Sequence, residues 1–304
     1  MKKIFSAIFL SAGLATGFIG CKPDTVDLKF NLAAGSKYRM VITTDQDITQ
    51  EMAGQKMQIK NVSEYSMLYA VGKVDGDSKE LKMTFERMKS AQSVMGKEMV
   101  MDSDNIDTAN LASKIVGAVK GSEFDMVINS KGEVKSVKGM DLLMDKMIKS
   151  AGENLPQEVK AQMGEGIKAM MNDEILKGLA EQSFKIFPDK KVKVGDSWNA
   201  KMGTKSFLDM VIETTYTLKK LENGIATIDI KSKILPDGKE KIIQGTKVET
   251  SVTGTQTGTM ELDVTSGMTL SSKISQNIDS KMKANGMEIP ITVKGTITIK
   301  TTKL

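Results

Sequence analysis

From Val26 to the C-terminus the sequence keeps returning to one pattern, apolar and polar side chains in strict alternation, cut at short intervals by glycine-centred turns. Val26, Leu28, Phe30 and Leu32 fall on one face and Asp27, Lys29 and Asn31 on the other. The same period recurs at Tyr38-Met40-Ile42, at Tyr65-Met67-Tyr69-Val71, at Leu81-Met83-Phe85 and, far downstream, at Met260-Leu262-Val264. Between these runs stand Ala34-Gly35-Ser36, Ala53-Gly54-Gln55, Asp75-Gly76-Asp77 and Met95-Gly96-Lys97. Successive side chains on a strand point to opposite faces, so a period of two marks half-buried strands, and short glycine turns mark hairpins. The pattern predicts an antiparallel meander and leaves little room for a helical or a parallel α/β fold.

Two stretches change period. Leu111, Ile115 and Val119 predict a short helix within 105–120, capped by Asp107 or Thr108 and closed by Gly121. Met140, Leu143, Met144 and Met147 begin a longer helical region, which resumes after Pro156 with Val159, Met163 and Ile167 and ends before Pro188-Asp189. Gly164 and Gly166 each weaken that second helix by about 1 kcal/mol relative to alanine, which predicts a break or kink. Beyond Val192 the alternation returns, rich in threonine, with turns at Glu222-Asn223-Gly224, Pro236-Asp237-Gly238, Ser266-Gly267 and Asn285-Gly286. The expected class is α+β, predominantly antiparallel β: two related curved meander sheets or half-barrels with a central helical segment. The expected segments are 26–138 for the first meander with its short helix, 139–187 for the helices and 188–304 for the second meander. Gly35-Ser36-Lys37-Tyr38 matches Gly195-Asp196-Ser197-Trp198, and Tyr65-Ser66-Met67-Leu68 matches Tyr216-Thr217-Leu218-Lys219. Duplication and coincidence both account for these matches, since glycine turns and strand aromatics are common in any meander.

The N-terminus carries a different message. Lys2 and Lys3 precede an almost uncharged run from Ile4 to Ile19, then Gly20 and Cys21, the single cysteine of the chain. A basic start, an apolar run of roughly 15 residues and a small residue at the cut mark a secretory signal rather than a spanning helix. The expected leader is 1–20, and 21–25 is a short tether. Once Lys2 and Lys3 are set aside, 41 of the 43 basic residues remain against 38 acidic, an excess of three interleaved along the chain, so no nucleic-acid partner is implied. Histidine is absent, which removes the commonest general base and metal ligand. One Trp and four Tyr cannot build the two aromatic girdles of a transmembrane barrel.

Small-residue-then-Cys resembles the lipobox of bacterial lipoproteins, with Phe18 standing where that motif usually has Leu. The resemblance implies cleavage between Gly20 and Cys21, diacylglycerol on the Cys21 thiol and a further acyl chain, such as palmitate, on its amine. Together with Gly35-x-x-Tyr38, Gly195-Asp196-Ser197-Trp198 and the closing Asp263-to-Gly267 turn, it resembles an uncharacterised family of Bacteroidetes-type lipoproteins of about this length. That resemblance implies a domain of unknown function held in the cell envelope by a lipid anchor. The expected location is the outer membrane, periplasmic face favoured because Lys22-Pro23-Asp24 is not an acidic export-like run, with the surface face as the other option.

The candidate sites are few. Methionine numbers 23 where aromatics make up 5%. Flexible thioethers either fill a core short of aromatics or line an adaptable apolar pocket, and the pocket reading names Met144, Met147 and Met163. Trp198 is either a core anchor or a stacking platform for a ligand. Asp102, Asp104 and Asp107 faintly resemble a calcium loop but lack its glycine and its last glutamate, so a helix-capping turn is the plainer reading. Met99-Val100-Met101 and Met170-Met171 offer thioethers for copper without a Cys or His to join them, and no metal or cofactor is expected. With no nucleophile elbow, phosphate loop or metal motif, the expected role is non-catalytic. It is the binding of an apolar or amphipathic ligand, such as a lipid, in a cavity between sheet and helices. The rival is a structural or interaction module that docks another envelope protein.

Overall fold

A computed structural model of the chain describes residues 25–52, 54–152, 156–170, 172–204, 210–237, 241–243, 246–284 and 287–304. The leader, Gly20, Cys21 and the expected turn glycines Gly238 and Gly286 lie outside the described residues.

The chain begins with four strands, β1 (Lys37–Met52), β2 (Gln55–Asp75), β3 (Ser78–Val94) and β4 (Lys97–Asp102). Helix α1 (Leu111–Val119) leads to β5 (Glu123–Ile128) and β6 (Val134–Lys138). Three helices follow, α2 (Met140–Ala151), α3 (Gln157–Met170) and α4 (Asp173–Phe184). The second half holds β7 (Ser197–Thr204), β8 (Met210–Glu222), β9 (Ile225–Pro236), β10 (Lys241–Ile243), β11 (Thr246–Asp263), β12 (Thr269–Ala284) and β13 (Met287–Lys303). Every pairing is antiparallel, and all strands share one sheet in the order β6-β5-β3-β2-β1-β13-β12-β11-β9-β8-β7, with β4 on β3 and β10 on β11. The two meanders are therefore continuous, joined where β13 pairs with β1 on one side and β12 on the other.

The sheet is open but curled. Laid flat, its eleven-strand path would be about 48 Å wide at the usual strand spacing. Yet α4 and the residues just after it touch both ends: the Val134 N–H on β6 donates to Glu181 Oε1 at 3.3 Å, and Trp198 Nε1 on β7 donates to the Ile186 carbonyl at 2.8 Å. A helix is only about 10–12 Å across, so the sheet must bend round until its edges nearly meet. Strand glycines permit that bend. A Cβ on Gly258 would sit 2.2 Å from the Lys273 carbonyl, and one on Gly295 2.2 Å from that of Asp45, so only glycine allows these neighbours to approach as they do.

The two halves are built alike. Gly35 and Ser36 exchange hydrogen bonds with Val71, as Gly195 and Asp196 do with Leu218. Tyr38 is then opposite Tyr69 just as Trp198 is opposite Tyr216. Leu81 faces Met126 where Ile228 faces Met260. The closing turns repeat as well, with Asn129 N–H donating to Glu133 O and Asp263 N–H to Met268 O. The register thus aligns Tyr216 with Tyr69 rather than with Tyr65. Each closing turn packs against backbone leading into the opposite repeat: a Cβ on Gly132 would lie 1.8 Å from Phe184 O, and one on Gly267 2.1 Å from Lys29 O.

Residues 26–32 do alternate in burial, but they form no ladder strand. They run across the strand ends, bridged to Val192 at Val26 and accepted by the Ser130 and Ser266 carbonyls at Phe30 and Asn31. Helix α1 takes its cap from Asn110, whose side chain accepts from Ser113 N–H, while Asp107 caps the preceding turn through Ala109 N–H. Helix α3 runs unbroken through Gly164 and Gly166, and α4 restarts at an Asn172 cap.

Candidate functional site

The inner face of the curled sheet changes character along the strands. At the helix end it is solid. Tyr38, Met40, Met67, Tyr69, Leu81 and Met83 join Met140, Leu143 and Met144 of α2 and Phe184 of α4 in one buried cluster, and Leu218, Ile228 and Leu262 form the next. Phe184 packs against Phe30 at 5.0 Å and Tyr69 at 5.7 Å between ring centres. Burial pushes the Tyr69 phenol well up and that of Tyr216 to about 12.

Followed along the same strands away from the helices, the aliphatic inner side chains of β1, β2, β12 and β13 become only half-buried, while Gln276 and Ser280 on β12 stay buried. Ile48 faces Ile59 on one side and Val293 on the other, and Val293 faces Ile278; all four are half-buried. The row continues across Gly254 to Ile234 and Ile212, which are buried with Val252 in a third, smaller cluster. Eight strands closed into a barrel enclose a space that side chains fill or that holds one small ligand, and a wider curl would enclose more.

Directly beneath this aliphatic row lies a row of uncharged polar residues. Gln46 faces Asn61, and Asn61 faces Gln92. In the other direction Gln46 faces Gly295, Gly295 faces Gln276, and Gln276 faces Gln256. Gln256 faces Ser232, which faces Thr214. Neighbours along this belt bond to one another: Gln256 Nε2 donates to Gln276 Oε1 at 3.3 Å and the Thr214 and Ser232 hydroxyls lie 2.8 Å apart; from the next row Ser90 Oγ donates to Asn61 Oδ1 at 3.3 Å. Sequence reading missed the belt, because its members are scattered from Gln46 to Gln276 through unrelated runs and only strand register lines them up. The outer face of these strands is mostly polar, with Val41, Val62 and Leu68 as exceptions on β1 and β2. On β12 it presents Lys273, Ser275, Asn277, Asp279, Lys281 and Lys283, all exposed.

The residues singled out in the sequence are not brought together. Met144 is buried in the core beneath α2 and Met147 packs at its margin. Met163 is half-buried on α3. A groove of about 500 Å³ between α2 and α3 does reach Met144, but half of its lining residues, Asp141, Asp145, Lys160, Glu165 and Lys168, are charged. Trp198 lies at the other edge of the sheet, stacked on Tyr216 with ring centres 5.7 Å apart and tied to the Ile186 carbonyl, which is the anchor geometry. Gly20 and Cys21 lie outside the described residues.

The acidic run at 102–107 is occupied by the protein itself. Arg87 donates to both Asp102 oxygens, at 2.6 and 3.1 Å, and holds that carboxyl below the usual range, while Asp104 pairs with Arg87 and Lys120. Arg39 does the same for Glu86, at 2.6 and 2.9 Å. Both pairs are on the outer face. Among the described residues no group of three or more His, Cys, Asp or Glu could hold a metal ion, and no helix is long and apolar enough to cross a membrane.

A protein-family model matches residues 76–269, from the β2–β3 turn to the first residue of β12, which is more than half of the chain. The chain belongs to DUF6263, a family of unknown function. The DUF6263 match contains both closing turns, all four helices and the two flanks of the belt; β1 and β13, at the middle of the sheet, fall outside it. A search of curated protein sequences finds no match. Among solved structures the chain is similar to the translocator domain of the autotransporter NalP from Neisseria meningitidis, at 8% identity and TM-score 0.24 over 88% of this chain and 89% of that one. It is also similar to an outer membrane channel from Pseudomonas putida F1, at 8% identity and TM-score 0.26 over 91% and 98%. At such scores nothing about fold or role follows from either.

Proposed function

We propose that this chain is a non-catalytic, lipid-anchored protein of the bacterial envelope that holds an apolar or amphipathic ligand against the inner face of its curled sheet, beyond the helix-plugged end. One observation carries the reading. Along the same inner face, aliphatic side chains pass from fully buried beside the helices to half-buried at Ile48, Ile59, Ile278 and Val293, while the outer face of β12 stays polar and exposed. A sheet with polar residues outside and accessible aliphatic residues inside is the reverse of a lipid-facing barrel and suits a ligand carried within. The absence of histidine supports a role without catalysis.

The anchor fits this orientation. Cys21 and Val26 are five residues apart, a reach of at most about 18 Å, and Val26 is bridged to Val192 at the helix end of the strands. The longest strands extend for roughly 55 Å or more. An acylated Cys21 would therefore hold the solid end toward the membrane and direct the half-open end away from it.

The test uses the fluorescent apolar probe N-phenyl-1-naphthylamine on purified chain carrying Cys21→Ala, so that no acyl anchor competes. Saturable binding of about one probe per chain is expected, weakened at least tenfold by Ile48→Gln or Ile278→Gln and unchanged by Thr49→Gln on the outer face. Absence of saturable binding in protein whose circular dichroism is intact would refute the reading.

A second role is favoured by one specific feature. The β3–β4 hairpin exposes Met95 at 84%, with Met99 and Val100 half exposed beside it on a short edge strand. Apolar residues on such an edge suit a partner protein at the end of the molecule away from the anchor.

A further inference from the structure

We infer that the ligand's polar part is uncharged: a long-chain acyl ester, amide or alcohol whose neutral hydrogen-bonding group meets the belt while its chain lies on the aliphatic row. This rests on the reading of the inner face as a ligand site and goes further, to the chemistry of the ligand. Gln46, Asn61, Gln92, Gln256 and Gln276 offer amide donors and acceptors at one level of the inner face. From the Ser90–Ser63–Thr44 level outward to Val94–Ile59–Ile48, the inner positions of β1, β2 and β3 contain no charged residue. The same holds for the inner positions of β8, β9, β11, β12 and β13 that face one another at these levels. Every lysine and carboxylate of these stretches is on the outer face. An ionised headgroup brought to the belt would leave water for a level without a countercharge, Lys97 of β4 standing one row out, opposite Val94, whereas esters, amides and alcohols find both donors and acceptors.

A second, independent observation points the same way. Ser280 Oγ, on the inner face of β12 one row beyond Ile278, is buried and, like Thr301 Oγ1 on β13, has no hydrogen-bond partner among the described residues. A lone buried hydroxyl is costly to leave unpaired, and a neutral oxygen or N–H on a bound molecule would pair it.

The experiment displaces N-phenyl-1-naphthylamine from the same Cys21→Ala chain at pH 9 with five probes of one chain length. These are 1-monopalmitoylglycerol, palmitamide, palmitate, palmitoylcholine and hexadecane. The neutral polar pair is expected to bind at least tenfold more tightly than the other three. Gln276→Leu and Gln46→Leu, each checked by urea unfolding and each referred to its own naphthylamine affinity, are expected to cut that preference below about threefold. Palmitate or palmitoylcholine binding as tightly as the neutral pair would overturn the inference. Hexadecane matching monopalmitoylglycerol, or a preference unchanged in both glutamine variants, would reduce the belt to internal scaffolding and overturn the inference, yet leave the ligand site standing. Failure of the naphthylamine to bind at all would remove the site and the inference together.

Discussion

Replacing Gly132 by alanine tests the junction between the first meander and the end of α4. Gly132 sits at φ +78°, where a side chain costs about 1–2 kcal/mol. The added methyl would also lie 1.8 Å from Phe184 O, 2.3 Å from Phe184 C and 2.8 Å from Lys185 N. Relieving that overlap means moving backbone by more than 1 Å at a point where it is fixed from three sides. Lys185 N–H closes α4 on Glu181 O at 2.8 Å, and the Phe184 ring is wedged between Phe30 and Tyr69. Disturbing a packed core in this way costs a further 1–3 kcal/mol, so the expected loss is about 2–5 kcal/mol. Gly224 supplies the control. It has nearly the same φ, +76°, but nothing within 4 Å of an added Cβ, so Gly224→Ala should lose only the conformational part, about 1–2 kcal/mol. Urea unfolding followed by far-ultraviolet circular dichroism compares the two. Equal losses would mean that the turn and the α4 end do not touch as described. Gly267→Ala, facing Lys29 O, should behave like Gly132→Ala.

Two further outcomes follow from packing and charge. Met144→Ala, in the core, should cost about 2–5 kcal/mol and Met163→Ala, half-buried on α3, less than about 1 kcal/mol, both read from urea midpoints. Asp102 and Glu86 have carboxyls held below their unfolded values by hydrogen bonds from Arg87 and Arg39, so the stability they contribute is present above the unfolded carboxyl range and is lost as pH falls through the folded values. The urea midpoint should therefore drop below about pH 4, and Asp102→Asn should start lower at pH 7 but lose less between pH 5 and 3; an unchanged acid slope would rule out this linkage.

The individual strands were legible because their alternation and their turns are local. Tyr38-Met40, Phe124 to Ile128 and the turns at Gly76, Gly132 and Gly267 all stand where the pattern predicts them. Register was not legible. A two-residue period is satisfied equally by a shift of four, which is how Tyr65 passes for Tyr69 as the partner of Tyr216 in the repeat. The inner belt was hidden for the same reason, since Gln46 and Gln276 look like ordinary polar strand positions until pairing places both beside Gly295. Alternation also misleads where a chain is buried by crossing strand ends instead of joining them, as residues 26–32 do. The Asn110 cap was missed because Asp107, an equally good capping residue, is spent on the turn before it.

The central claim is that one inner face is solid at the helix end and accessible at the other. In a Cys21→Ala background, maleimide labelling of Ile48→Cys and Leu218→Cys tests it, since Leu218 is 0% exposed and Ile48 half-buried on that same face. The account predicts that the native protein labels readily at position 48, that N-phenyl-1-naphthylamine slows this labelling at least severalfold, and that position 218 reacts only after unfolding. Equal protection of both positions, or labelling at 48 that the naphthylamine leaves unchanged, would contradict it.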